Sequence, residues 1–328
     1  MKGTITSWTV LRKSLAVGVV AAVLMTAAST ALWAQNGGAG VDAVRAAIGT
    51  LALGEPVWFE NLTIFPLSLS ISGSKNQGAA SSFVTLDEAL KKGWLKIREL
   101  DDGDVPRLVV DNRGDRPVFI MGGEVVTGGK QDRLIGSDVL IRARARGVEI
   151  AVFCVEAGRW TETTAQFITK QNLGTWKLRA NAQAGARSAT GAYQDLYEDK
   201  KVNAQLLALE KDLKNVPLLA GGTVGVLCAV GGRVASVDLF ADSSLFERLW
   251  PKILRATALS AVTGDAASRI TRKDALGFLG QLSDCKLTES RGVDLGIEVR
   301  ATGGQITAAA LVHDGAVLHL AAFPQGRD

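Results

Sequence analysis

Between Trp94 and Trp160 the chain is written almost entirely in short β-branched runs: WLKIREL, VPRLVVDN, PVFIM, EVVTG, SDVLI and VEIAVFCVE. Asn-Arg-Gly-Asp, Gly-Gly and Arg-Gly steps separate them, and each run is too short for a stable helix. Short strands at this spacing predict a sandwich or barrel. The flanking segments obey other periods. TLDEALKKGW predicts a helix with a capping box at Thr85 and Glu88 and a terminal glycine at Gly93. Upstream of it, VWFENLTIFPLSLSIS reads as strands turning at Glu60-Asn61, followed by a Gly/Ser/Asn loop over 72–82.

Residues 161–215 lose the β-branched pattern and become polar and alanine-rich. A helix is expected over Gln194–Lys214, with Val202, Leu206, Leu209 and Leu213 on one stripe. The last third changes again. TVGVLCAV and RVASVDLFA flank a Gly231-Gly232 hairpin turn, and Asp242 or Ser243 then caps a helix. That helix carries Leu245, Leu249 and Ile253 beside Phe246, Trp250 and Leu254, and Pro251 should kink or restart it. A second helix follows Thr271, and GQITAAALV and AVLHLAAFP close on an Asp314-Gly315 turn. The fold class expected is α+β and β-dominated: an N-terminal β-sandwich or barrel-like unit (35–165), a helical connector (166–215) and a C-terminal ββααββ unit (216–328).

Residues 1–34 read as an export signal. Lys2, Arg12 and Lys13 precede an uncharged stretch, Ser14 to Asn36, which fades into small residues. Cleavage fits after Ala31 or Ala34, and the location expected is periplasmic or extracellular. The alternative is an uncleaved anchor, since about 20 apolar residues can span a bilayer; the membrane would then be met only through this segment. The precursor has 37 Lys+Arg against 33 Asp+Glu. Removing Lys2, Arg12 and Lys13 leaves 37 − 3 = 34 against 33. A nearly neutral chain has no electrostatic case for nucleic acid. Arg142, Arg144 and Arg146 alternate as on a strand face. Cys154, Cys228 and Cys285 have no CxxC spacing, so one disulfide or three buried thiols both fit.

Residues with chemical capacity crowd into Phe119–Trp160. GGEVVTGGKQ resembles a phosphate loop but fails its spacing: position 124 is Glu where the first glycine belongs, and Gln131 replaces the magnesium-binding hydroxyl. A hairpin turning at Gly128-Gly129 fits better. It would set Thr127 opposite Lys130, Val126 opposite Gln131 and Glu124 opposite Arg133, with Glu124, Gln131 and Arg133 on one face. In VFCVE, Cys154 and Glu156 share a face, and Arg159-Trp160 follow a glycine. A thiol next to a carboxylate is a poor nucleophile, so Cys154 is expected in the core. His313 and His319 flank a hairpin and cannot share a metal; no metal set, cofactor motif or G-x-S-x-G elbow is present in the sequence.

Two functions follow from these residues. In one, Glu124, Lys130, Gln131, Arg133, Glu156, Arg159 and Trp160 line a polar pocket for a small molecule or protein partner. In the other, Glu124 and Glu156 act as the acid and base, or nucleophile, of a hydrolase that cleaves a glycosidic or N-glycosidic bond. Such carboxyl groups must stand about 5 to 9 Å apart. Ordinary ion pairs, Glu124–Arg133 and Glu156–Arg159, in a structural envelope protein are the plainer reading.

EVVTGGKQDR, VFCVEAGRW and SVDLFADSSLFERLWPKILRATAL together resemble the ARG-and-rhodanese-phosphatase-superfamily-associated protein domain. The likeness extends over most of the mature chain and is loosest over 161–214. The family name marks an association with ADP-ribosylglycohydrolases, which would make an ADP-ribose-like N-glycosidic bond the hydrolase's target. The resemblance brings no catalytic residues with it.

Overall fold

The structure is a computed structural model. It describes residues 38–70, 82–100, 106–155, 164, 166–184, 222–264 and 268–325, with isolated positions between 200 and 211. Residues 1–34, the expected export signal, and Glu156, Arg159 and Trp160 lie outside the described residues. So does most of the helix expected over 194–214, although the described positions there are helical and Leu206 is buried. The following concerns the compact unit Gly40–Asp328.

Helix α1 (Ala39–Gly49) leads to β1 (Leu51–Leu53), β2 (Val57–Phe59) and β3 (Leu62–Leu69). β4 (Val84–Thr85) runs into α2 (Leu86–Lys91), where Thr85 and Glu88 form the capping box and Gly93 takes a φ of +67° after the last turn. Then come β5 (Leu95–Glu99), β6 (Arg107–Asn112), β7 (Val118–Ile120), β8 (Glu124–Thr127), β9 (Arg133–Ile135), β10 (Val139–Ile141), β11 (Val148–Cys154) and β12 (Ile168–Leu173). Helix α3 (Trp176–Gln183) follows. The remainder is β13 (Thr223–Val230), β14 (Arg233–Phe240), α4 (Ser243–Val262), α5 (Arg272–Ser283), β15 (Lys286–Arg291), β16 (Ile297–Gly303), β17 (Ile306–His313) and β18 (Ala316–Pro324). The class is α+β, dominated by strands.

Nine strands form one antiparallel sheet, ordered β1-β3-β13-β14-β18-β17-β16-β15, with β2 on β3. The strands of 51–69 thus share a sheet with those of 223–324: Ile64 pairs with Cys228 and Leu62 with Val230. Relative to the expected ββααββ order the structure adds the β15–β16 hairpin. Both faces of this sheet are covered. On one, Val44 and Ile48 of α1 and Phe278 and Leu282 of α5 pack with Leu227, Val237 and Leu239. On the other, Leu245, Phe246, Leu249 and Ile253 of α4 pack on Val226, Cys228 and Phe240. α4 is continuous through Pro251, and Asp242 caps it by accepting from Leu245 N.

A six-stranded sheet (β12-β8-β9-β11-β6-β5) and a three-stranded one (β10-β7-β4) enclose a second core of Ile97, Val110, Ile120, Val126, Ile135, Ile150 and Phe167. α4 lies between this barrel-like part and the large sheet, because its stripe also touches Val125, Leu134 and Leu173. Its buried area on two sides explains why α4 is the longest helix described and why it tolerates an internal proline: packing outweighs the lost backbone bond.

Candidate functional site

The hairpin of β8 and β9 departs from the expected register. Val126 stands opposite Arg133 and Val125 opposite Leu134, leaving a loop from Gly128 to Asp132. The loop is wider because Asp132 accepts from Gly128 N and Gly129 N donates to Thr164 O. Glu124 and Arg133 are therefore not cross-strand partners. Arg133 is fully buried; it donates to Gln131 Oε1 at 3.0 Å and lies 3.7 Å from Glu99. Cys154 also donates to that oxygen, at 2.9 Å, and is half-buried rather than in the core. Lys130 donates its backbone N–H to Glu99. Gln131 and Arg133 thus gather around Cys154 and Glu99, away from Glu124. The expected arginine alternation is not a strand either: Arg142 follows the end of β10, and its N and Nε donate to Asp294 at 2.7 and 2.6 Å. The three cysteines are free thiols, and among the described residues no cluster of His, Cys, Asp and Glu could hold a metal.

Glu124 is held by a residue outside the stretch that suggested it. Lys252 of α4, 4% exposed, binds the Glu124 carboxylate directly and reaches Asp87 at 2.7 Å. The second Glu124 oxygen accepts from Met121 N at 2.8 Å. Burial pushes the Glu124 carboxyl up, with Lys252 pulling the other way. Burial alone would lower the Lys252 ammonium, but Glu124 and Asp87 outweigh it and its pKa ends above the ordinary lysine value. With no exposed surface and all this bonding, Glu124 is a buried ion-pair residue.

A second buried network starts on the same MGGE turn. Gly122 N donates to Asp138 at 2.7 Å, and the other Asp138 oxygen lies 2.8 Å from His319 Nδ1. His319 Nε2 lies 3.2 Å from Asp238 Oδ1. Arg179 of α3 grips both Asp238 oxygens, at 2.5 and 3.2 Å. His319 stacks on Phe240, with centroids 4.5 Å apart, and Arg179 lies over Phe323. Burial would lower the His319 pKa, but Asp138 and Asp238 outweigh it, and the imidazole is pushed up to about 9. Burial would raise Asp238, but Arg179 and His319 hold it well below the usual carboxylate range. Cys228, fully buried near Asp238, is pushed up to about 12 and is inert as a thiol.

This network forms the wall of a small cleft. Gly122, Gly123, Ser137, Asp138, Arg179 and Gln183 line it, with Glu298 and the half-exposed Arg300 of β16. Gly123 is required here: its φ is +94°, and a Cβ would sit 2.6 Å from Arg179 Cγ. Gln183 Nε2 donates to Ala321 O, which turns Oε1 the other way. Two residues that line the cleft each keep a buried atom with no hydrogen-bond partner among the described residues: Arg179 Nε and Gln183 Oε1. Arg300 donates to the Gln183 carbonyl oxygen at 3.4 Å and to Glu298 at 3.1 Å. Two cations (Arg179, Arg300) and two carboxylates (Asp138, Glu298) line it, while His319 and Asp238 are fully buried and bonded to Asp138 and Arg179.

The fold and site define a β-dominated α+β protein whose sheets are tied by two buried ion networks around one glycine turn. The chain belongs to the ARPP-1 family, the ARG and Rhodanese-Phosphatase-superfamily-associated Protein domain, whose family model matches residues 50–186 and 179–323. Comparisons with curated proteins and with solved structures found no match.

Proposed function

We propose that the protein is an exported binding module whose cleft takes a small ligand bearing both a donor and an acceptor, of the kind found at the head of an α-amino acid. The observation that carries this reading is that two residues lining one cleft each keep a buried atom without a partner among the described residues: Arg179 Nε, a donor, and Gln183 Oε1, an acceptor. Leaving such groups unmet is costly, which favours an occupant that meets both. The balanced charges around the cleft suit a zwitterion better than phosphate, which would meet as many carboxylates as cations. The cleft is small, about 30 Å³, and partly open to solvent. It would take only a head group, with the remainder of the ligand outside, beside the half-exposed Arg300. A Glu124-based hydrolase has less support, because Glu124 is buried against Lys252 and does not line this cleft.

The test is isothermal titration of the mature chain with glycine, acetate, methylamine and acetamide. Glycine should bind more tightly than acetate or methylamine. Gln183→Leu should weaken it about tenfold, the size of one lost buried hydrogen bond, and half-exposed Arg300→Ala by a smaller factor, while the melting temperature of the unliganded protein stays close to wild type. Heat from none of the four probes, or glycine binding that both variants retain, overturns the proposal.

A further inference from the structure

A second site is independent of the cleft and lies where the barrel-like part fails to close. The six-stranded sheet ends in β12 on one side and β5 on the other. The two edges meet only near Phe167, whose N–H donates to Ile97 O at 3.3 Å. No ladder continues from there among the described residues; instead an open groove of about 880 Å³ is lined by both edges and by α2. Buried Leu95 and Phe167 contribute to its lining. β12 bends at this point: its register on β8 shifts between Thr169 and Leu173, and Gln171 has a φ of +60°, a conformation that disfavours side chains.

The charges along the groove are one-sided. Its two carboxylates are already engaged, Asp87 by Lys252 at 2.7 Å and Glu88 by Arg248 at 3.1 Å. Lys91, Lys96, Arg113 and Lys170 also line it, and none of the four forms an ion pair among the described residues. Four uncompensated cations around a concave surface attract a partner carrying several negative charges. The strand edges select its shape, since an edge recognises an extended backbone by hydrogen bonding.

We propose that this groove binds an extended acidic polypeptide segment, laid along the edge of β12 with its carboxylates on Lys91, Lys96, Arg113 and Lys170. The test is fluorescence polarisation of the mature chain with a labelled peptide of alternating Glu and Val. Three competitors are added: the Lys-for-Glu peptide, the acidic peptide N-methylated at alternate residues, and a sulfated oligosaccharide. The expected result is binding of the acidic peptide that falls at least tenfold on backbone methylation and is absent for the Lys peptide. The pair Lys96→Glu and Lys170→Glu, both on the groove surface, should weaken it at least tenfold without moving the melting temperature. Three results would overturn the proposal: no binding of the acidic peptide, binding indifferent to methylation, or tighter binding of the oligosaccharide. Undiminished binding in a folded double variant would do the same by placing the peptide elsewhere.

Discussion

Replacing Lys252 by methionine is expected to destabilise the protein by about 3 to 5 kcal/mol, the cost of leaving a buried charge without its partner. The side chains are of similar length, so the local packing changes little, and the loss reports the charge. Glu124 has no exposed surface and cannot turn to water. Asp87, 21% exposed at its side chain, can. The companion variant distinguishes charge from shape. Removing both partners, Glu124→Met with Lys252→Met, should recover most of the loss, because an apolar pair of similar volume is commonly neutral or better than a buried ion pair. Urea unfolding of the single and double variants reads both numbers. A single variant costing under about 1 kcal/mol would mean that the Lys252 bridge adds little to the protein's stability.

The position of Lys252 was legible in the sequence. Leu249, Lys252, Ile253 and Ala256 stand at i, i+3, i+4 and i+7, so a lysine interrupts the apolar stripe of its own helix. What no local pattern gives is its partner, since Glu124 is 128 residues away. The same division holds elsewhere. The capping box at Thr85, the helix that follows Thr271 and the hairpins at Gly231-Gly232 and Asp314-Gly315 are local chemistry and stand as read. The pairing of β3 with β13 joins Leu62 to Val230, and nothing near either residue announces it. The Gly128-Gly129 turn misleads by offering two glycines where a tight turn would want them. The chain instead uses Asp132 and Thr164 to hold a wider loop, which keeps the side-chain parity but moves Arg133 from Glu124 to Val126. The β15–β16 hairpin escapes notice because β15, KLTESR, is an edge strand with little to bury. Asp238 and His319 alternate with apolar neighbours, as residues on the wet face of a sheet do. The large sheet has no wet face at that point, because α4 covers it, and both are driven into the second network.

That burial makes His319 the group whose titration should be most visible in stability. Its folded pKa of about 9 lies above the ordinary 6.5. The folded state therefore holds its proton longer than the unfolded chain. The resulting stabilisation is complete below about pH 6.5 and is lost as pH rises to about 9, roughly 3 kcal/mol across that window. The neighbouring groups do not blur it. Asp238 is depressed, so its contribution fades only under acid, below the ordinary carboxylate pKa of 3.8. Cys228 is raised from 9.0, so the unfolded thiol ionises first and its destabilising effect begins only above pH 9. Urea unfolding at pH 6, 7.5 and 9 should show a falling stability in wild type and a flatter profile in His319→Gln. That variant starts lower, because Asp138 and Asp238 lose the imidazolium between them while Arg179 still neutralises one carboxylate. A wild-type profile as flat as the variant's would mean that His319 is neutral in the folded protein, with Asp238 balanced by Arg179 alone.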